Sequence, residues 1–436
     1  MTVREIALKL LLDYEENGKY VNLSLSSHLT DSLSREERGL LTHLLYTTVE
    51  HKLTYDYIIG ALTGRSLDKL TSHTKNILRL GMCQLLDSSG MPDHAAVNAT
   101  VSLAKNKGEA GLVNAVLRAL VRTRDNLPFP KKEKNAARYY SVYYSIPLPT
   151  VRLFLDGLGE QSAVALFESF NKTPKTTLTV NTVKISVEDF IQKLAETGVV
   201  ATRVEFSPIS VAISGSVNPR EIYGYSEGLF LVQDAASAVA ASLQSQREGA
   251  LIVDVCSAPG GKAMTAAILS GNKARVYAFD LHESKLSLIR DSAARLGLSS
   301  VSVGVRDARV PDGTLLGRAD SVICDVPCSG LGVIAKKPDL RYKPLEDTEG
   351  LPALQLEILK SSSQYLRVGG RIVYSTCTLA ERENEEVVRE FLRDNHDFAL
   401  VPFELGTLSA ECGMITLYPH IHDTDGFFIA LLERKR

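Results

Sequence analysis

The sequence predicts a multidomain protein: an all-α N-terminal domain, a small α+β middle subdomain and a doubly wound α/β C-terminal domain. Three observations carry this. Apolar residues recur at three- and four-residue steps through residues 1–125, which is the helical period. From residue 250 onward, short apolar runs alternate with helical stretches, the pattern of parallel strands joined by crossover helices. Between these regions, Pro128 and Pro130 sit among lysines, a linker composition. The expected boundaries are 1–140, 141–235 and 236–436.

Each element follows from local pattern. Ile6, Leu10, Leu11 and Tyr14 mark one helical face; Leu41, Leu44, Leu45 and Val49 mark another, with Ser34 before Arg35-Glu36-Glu37 as its cap. Val97, Val101 and Leu103, then Val113, Val116, Leu117 and Leu120, continue the series to six or more helices. In the middle region, 151–155 and 162–170 read as helical, 177–180 and 199–206 as strands flanking a helix at 187–198, and 211–213 as a further strand. In the last region, strands are expected at 251–255, 275–279, 301–305, 319–324, 371–375 and 427–432. Helices are expected at 262–270, 283–296, 352–366 and 383–393. The sheet should be mostly parallel.

Composition narrows the class. A chain of 436 residues with 44% hydrophobic content can bury several cores. No run approaches the ~18 apolar residues of a membrane span, and Met1-Thr2-Val3-Arg4-Glu5 lacks a secretory core. Six cysteines, at 83, 256, 324, 328, 377 and 412, are sparse for a disulfide scaffold. A cytoplasmic monomer without membrane association is expected. Cys324 and Cys328 lack a matching ligand pair, so no metal is expected. Net charge is −2, but residues 101–150 carry nine Lys/Arg against three Asp/Glu. That stretch, from Lys105, Lys107, Arg118, Arg122 and Arg124 to Lys131, Lys132, Lys134 and Arg138, suits phosphate contact or a solvated face equally.

Two cysteines follow expected strands: Cys328 in Asp325-Val326-Pro327-Cys328-Ser329-Gly330, and Cys377 in Tyr374-Ser375-Thr376-Cys377. Parallel strands deliver ligand-contacting groups at their carboxyl ends, so the two thiols could share a pocket. Cys256-Ser257-Ala258-Pro259-Gly260-Gly261-Lys262 links the first strand to a helix, and small residues there let backbone N–H groups approach a ligand. Asp280, Asp307 and Asp325 end the next three strands. Three carboxylates repel a polyphosphate, but they tolerate a ribose, an adenine amine and a sulfonium. S-adenosyl-L-methionine has all three.

Together, Ser257–Lys262, the Asp325–Gly330 motif and the Tyr374–Cys377 motif resemble the RNA (cytosine-5) methyltransferases. Glu383-Asn384-Glu385, the 336–342 segment Lys-Lys-Pro-Asp-Leu-Arg-Tyr and Gln233-Asp234 look like the same family's segments. Residues 93–97 and Asn114-Ala115-Val116-Leu117-Arg118 resemble a NusB-type RNA-binding domain. The combination points to the family's ribosomal small-subunit type, with a Rossmann-like methyltransferase domain and 16S ribosomal RNA as partner. The resemblance implies Cys377 as nucleophile on C6 of cytosine and Cys328 as the thiol acting in release of the adduct. Asp325 would contact the base edge and border the cofactor, and Lys262 would hold the geometry. The cofactor site would comprise Cys256, Ser257, Ala258, Pro259, Gly260, Gly261, Lys262, Asp280, Asp307 and Asp325.

Two positions depart from the family pattern. Thr179 stands where an Arg is usual, and the chain has no Trp, so aromatics such as Tyr342 must serve instead. Rival readings are the same chemistry on transfer RNA or 23S ribosomal RNA, and a non-catalytic RNA-binding factor. A thiol redox protein is also conceivable, but its usual Cys-x-x-Cys is absent.

Overall fold

The computed structural model describes all residues except 20, 22–23, 26–32, 89 and 216–217. The described residues form two compact units: Met1–Lys172 with Ile334–Leu345, and Thr173–Val333 with Glu346–Arg436. The first unit runs past the expected boundary at 140 and includes a segment from far down the chain.

The first unit is helical. Its helices are α1 (Val3–Asn17), α2 (Arg35–Glu50), α3 (Lys52–Thr63), α4 (Ser72–Leu86), α5 (Asp93–Val101), α6 (Lys107–Thr123), α7 (Ala136–Tyr143) and α8 (Leu148–Phe170). The expected cap of α2 is present: the Ser34 hydroxyl accepts the Glu37 N–H at 3.2 Å and the Glu37 carboxylate accepts the Ser34 N–H at 2.8 Å. Leu41, Leu44, Leu45 and Val49 are buried, as are Val113, Val116, Leu117 and Leu120. The two helical stretches read at 151–155 and 162–170 are one element, α8, broken in its backbone only at Gly159 (φ 74°).

Arg341 is the most consequential residue of this unit. It lies on a short 3₁₀ turn, Pro338–Tyr342, and is 1% exposed. Its Nη1 donates to the carbonyls of Glu50 and Tyr144, both at 3.2 Å, and to Asn171 Oδ1 at 2.8 Å; its Nη2 donates to the Phe170 carbonyl at 2.9 Å. Glu50 ends α2, Tyr144 caps α7, and Phe170 and Asn171 end α8. Helix C-termini carry unpaired carbonyls and partial negative charge, so one guanidinium closes three of them. Tyr342 beside it donates to the Glu50 carbonyl at 2.8 Å, with Lys52 Nζ 4.9 Å from its ring centroid.

The second unit holds two main sheets. An antiparallel sheet of order β2-β3-β1-β4 comprises β1 (Thr176–Val180), β2 (Ala201–Arg203), β3 (Ser210–Ile213) and β4 (Phe230–Val232), with α9 (Val187–Glu196) between β1 and β2. β2 is shorter than the expected 199–206, and β4 was not anticipated. After α10 (Ala235–Ser242) comes the larger sheet, order β10-β14-β9-β8-β5-β6-β7. Its parallel part is β5 (Leu251–Asp254), β6 (Arg275–Asp280), β7 (Val301–Val305), β8 (Ala319–Asp325) and β9 (Leu366–Thr376). The helices α11 (Gly261–Leu269), α12 (Glu283–Leu296) and α13 (Leu351–Ser363) connect them. After α14 (Glu385–Asp394), β10 (Phe398–Leu400), β13 (Met414–Leu417) and β14 (Phe427–Arg434) add antiparallel strands, and β11 (Phe403–Leu405) pairs with β12 (Leu408–Ala410) apart. Only β14 of these five was expected; the other four are short. No helix among the described residues is long and apolar enough to cross a membrane.

Replacing Arg341 by Met should strip the guanidinium from three helix ends, leaving the Phe170 carbonyl without its donor while Tyr342 still serves Glu50 and Asn171 still serves Tyr144. The expected cost is on the order of 3 kcal/mol, read as a lower unfolding midpoint, with Lys in its place giving an intermediate loss. An unchanged midpoint for Arg341→Met would remove the keystone role.

Candidate active site

The site lies at the carboxyl ends of β5, β6, β8 and β9. β5 leads into the corner 255–260, held by the Ser257 N–H on the Phe279 carbonyl at 2.7 Å and the Gly260 N–H on the Ser257 carbonyl at 2.6 Å. The Ala258–Pro259 peptide is cis. Gly260 has φ 104°, which side chains rarely adopt, and an added Cβ would press on Ile289 at 3.2 Å. Gly260 caps α11 with no side-chain hydrogen bond, so the helix presents its first N–H groups without a side-chain acceptor, a favourable seat for a carboxylate.

The expected carboxylates divide in role. Asp280 Oδ2 accepts the Ala258 N–H at 3.2 Å and Oδ1 accepts the His282 N–H at 3.0 Å, tying the end of β6 to the corner. Asp307 is engaged by Arg309, whose Nε lies 3.0 Å from Oδ1 and Nη2 2.6 Å from Oδ2; this pairing holds its carboxyl below the usual carboxylate range. Asp325 receives Lys262 Nζ on Oδ2 at 2.6 Å and the Ser375 hydroxyl on Oδ1 at 2.7 Å. Lys262 Nζ also sits 5.1 Å from the Phe427 ring centroid. Cys256 packs toward the apolar core under the sheet, and burial pushes its thiol well up.

The two motif thiols meet. Cys328 Sγ and Cys377 Sγ are 3.2 Å apart; neither is in a disulfide and both are half-buried. The cause is register. β8 and β9 pair in parallel with Cys324 opposite Tyr374 and Asp325 opposite Ser375, so both chains leave the sheet together. Beyond the last pair, the Val326 N–H reaches the Ser375 carbonyl at 3.1 Å and the Gly332 N–H the Cys377 carbonyl at 3.0 Å. Gly332 is required there: a Cβ would fall 1.9 Å from the Gly426 carbonyl oxygen. Hydrogen bonding to the Cys377 sulfur, then burial, hold the Cys328 thiol well above the ordinary thiol range.

A buried clamp fixes both loops. Glu383, fully buried, accepts the Ser329 N–H at 2.9 Å and Gln355 Nε2 at 3.0 Å on Oε2, while its carbonyl accepts the Tyr374 hydroxyl at 2.6 Å. Gln355 also donates to the Pro327 carbonyl at 2.9 Å. Asn384 accepts the Thr376 hydroxyl at 2.6 Å and donates to the Thr378 carbonyl at 3.0 Å. Ser329 and Thr378 hydroxyls pair at 2.6 Å. Sequence reasoning marked Glu383 and Asn384 only as a family segment, assigned Ser375 no role and missed Gln355, which sits on α13 without any local motif. Thr179 is buried and donates to Gln233 Oε1 at 2.9 Å, as does Thr265 of α11 at 2.6 Å; Gln233 thereby fastens β1 to the helix that opens the glycine corner.

Sequence profiles match the chain in three places: one described as 16S rRNA methyltransferase RsmB/F over residues 240–433, the NusB family over 1–122, and an RsmF/B-like ferredoxin-like domain over 152–219. A probable ribosomal RNA small subunit methyltransferase B from Bacillus subtilis (strain 168) is 32% identical, covering 100% of this chain and 99% of its own length. A protein of the same name from Synechocystis sp. (strain ATCC 27184 / PCC 6803 / Kazusa) is 33% identical, covering 100% of both. Among solved structures, that of PH0851 has a TM-score of 0.79 at 29% identity, covering 99% of this chain and 97% of its own.

Two outcomes test this geometry. Oxidised glutathione should link Cys328 to Cys377, two thiols reducing one glutathione disulfide to two glutathione molecules. Peptide mapping that finds only mixed disulfides, for instance on exposed Cys412, would contradict the 3.2 Å pairing. Asp254, 1% exposed, has its carboxyl pushed up by burial to about 7. Its folded value lies above the unfolded ~3.9, so the unfolded chain ionises first and stability falls as pH rises from ~4 to ~7. Asp254→Asn should therefore be neutral at pH 4 and stabilising above pH 7, by a few kcal/mol at most. A difference that does not vary with pH in denaturant titrations would exclude the buried acid as its origin.

Proposed function

The chain belongs to the family of ribosomal RNA small subunit methyltransferases B, and from that premise we propose that it methylates C5 of a cytosine in 16S ribosomal RNA. S-adenosyl-L-methionine is the methyl donor and the reaction passes through a covalent bond between Cys377 and C6 of the base. The observation that carries this reading is the pair of thiols 3.2 Å apart beside the Lys262–Asp325–Ser375 set.

The residues suit the donor. The uncapped start of α11 and the side-chain-free corner at Gly260 and Gly261 would take its carboxylate end, and Asp280 would accept its ribose hydroxyls. When bound, it supplies an electrophilic methyl group on a sulfonium. The chain's own groups must make C5 a nucleophile. Cytosine C5 is unreactive while the ring is aromatic; addition of the Cys377 thiolate to C6 leaves an enamine-like C5, which forms the new carbon–carbon bond as the methyl–sulfur bond breaks. The C5 proton must then leave before the C6–S bond can open and free the thiolate. Cys328 stands against the very sulfur that has to depart, which suits a role in that release. Asp325, held through both oxygens by Lys262 and Ser375, would contact the amidine edge of the base. A base reaches such a pocket only out of its stack.

The helical unit is the proposed RNA-binding domain. Arg118 and Arg122, exposed and one turn apart on α6, offer phosphate contacts. The division into an RNA-binding domain at 1–140, a subdomain at 141–235 and a methyltransferase domain at 236–436 follows from this reading, with Ile334–Leu345 added to the first.

Bisulfite mapping of 16S ribosomal RNA after incubation with protein and donor should show one new 5-methylcytosine; none would overturn the proposal. Cys377→Ala should abolish product while retaining donor binding. Cys328→Ala should accumulate a protein–RNA adduct stable to denaturing gels, and wild-type turnover without adduct would remove its release role.

A further inference from the structure

Helix α7 carries two aromatic pairs on neighbouring faces. Tyr140 and Tyr144 are buried, and both rings meet Phe167, with centroids at 6.3 and 5.8 Å. Their place is explained by the core. Tyr139 and Tyr143 form a second pair, stacked at 5.3 Å with 20° between planes, and Phe129 extends the row at 5.4 Å from Tyr143. Tyr143 also meets Tyr144 edge-on at 5.0 Å and is 45% exposed, so this row reaches solvent. Beside it in the chain stand Lys131, Lys132, Lys134 and Arg138, all exposed, against a single acid, Glu133. Lys132 pairs with Glu160 at 3.1 Å; among the described residues Lys131, Lys134 and Arg138 have no ion pair.

We propose that Phe129, Tyr139 and Tyr143 form a stacking platform for unpaired bases of single-stranded RNA, with Lys131, Lys134 and Arg138 on its phosphates. An open aromatic face among cations is how single strands are held without reading sequence, since every base offers a π-face and every link a phosphate. A duplex, with its bases already stacked, has no use for such a face. The platform rests on the proposed RNA substrate and deepens it: the enzyme holds a single-stranded stretch apart from the cytosine being modified.

The full-length protein tests this with a 4-thiouridine oligomer of about ten nucleotides. Photocross-linking and tryptic mapping should place the adduct on the peptide that starts at Tyr139, after cleavage at Arg138. Tyr143→Ala, and Tyr143→Leu to keep apolar bulk, should weaken oligomer binding about tenfold and raise KM for 16S ribosomal RNA with kcat unchanged. Tyr143→Phe should retain binding, and Lys134→Gln with Arg138→Gln should flatten its salt dependence. Cross-links on neither the peptide that starts at Tyr139 nor the one that holds Phe129, or Tyr143→Leu binding like wild type, would overturn the platform while methylation by the wild type persists. Cross-links at Tyr139 or Tyr143 with no methylation of any ribosomal RNA would instead sustain the platform and remove the catalytic reading.

Discussion

Three helix C-termini converge on one guanidinium. The ends of α2, α7 and α8 each present carbonyls that their helices cannot satisfy, and burying them unpaired would cost more than the modest net gain of a typical hydrogen bond. Arg341 meets all of them with a planar fork and a positive charge at the negative ends of three dipoles. A Lys could not reach this many acceptors in one plane. The helical unit is thus completed by the chain that runs from the Cys328 motif toward α13, because 334–345 belongs to that unit. The segment looks like an insertion in the α/β pattern; physically it is the last piece of a helical core.

The catalytic unit relies on the same economy. Two loops that leave adjacent strands have little reason to hold one conformation, yet here each is fastened to the other. The parallel register of β8 and β9 brings Cys328 and Cys377 out of the sheet side by side. Glu383 then spends its carboxylate on the backbone of one loop and its carbonyl on the strand beneath the other, and Asn384 closes the turn around Cys377. A polar group buried this deeply depends on its hydrogen-bond partners, so a loop shift that moves Ser329 also strips a hydrogen bond from Glu383.

Much of this was legible in the sequence, and the parts that were not share a cause. The parallel strands and their helices were visible because each is long enough to show its own period; α12 and β7 fall where the pattern put them. The site's acids and thiols were visible because strand ends mark them. The missed strands were three or four residues long, such as β4, β10, β11 and β12, too short to show alternation; the eight-residue helices α7 and α10 were unmarked too, and other features were long-range in their logic. Nothing local distinguishes Arg341 from a surface arginine, or Gln355 from any helical glutamine. Thr179 shows the converse. It stands where the resemblance puts an Arg, and its hydroxyl joins Gln233 and Thr265 in a buried network that fastens β1 to α11.

The two thiols are chemically alike, and their surroundings make them unlike. The Cys377 sulfur and burial push the Cys328 thiol well above the ordinary range, and in the proposed mechanism a hydrogen bond from its S–H would favour a thiolate on Cys377. Lys262 is paired with Asp325, so in the proposed mechanism a Cys377 thiolate would be favoured by a neutral thiol rather than by that cation. That distinction has a kinetic meaning. An ion-paired thiolate is a weaker nucleophile and a better leaving group, because nucleophilicity falls with thiol pKa. In the proposed mechanism a sulfur favoured by a neutral thiol would keep the basicity needed to add to C6 of a ring that is not otherwise electrophilic. The Cys328 thiol, 3.2 Å away, would also be within reach of that sulfur when the bond must open.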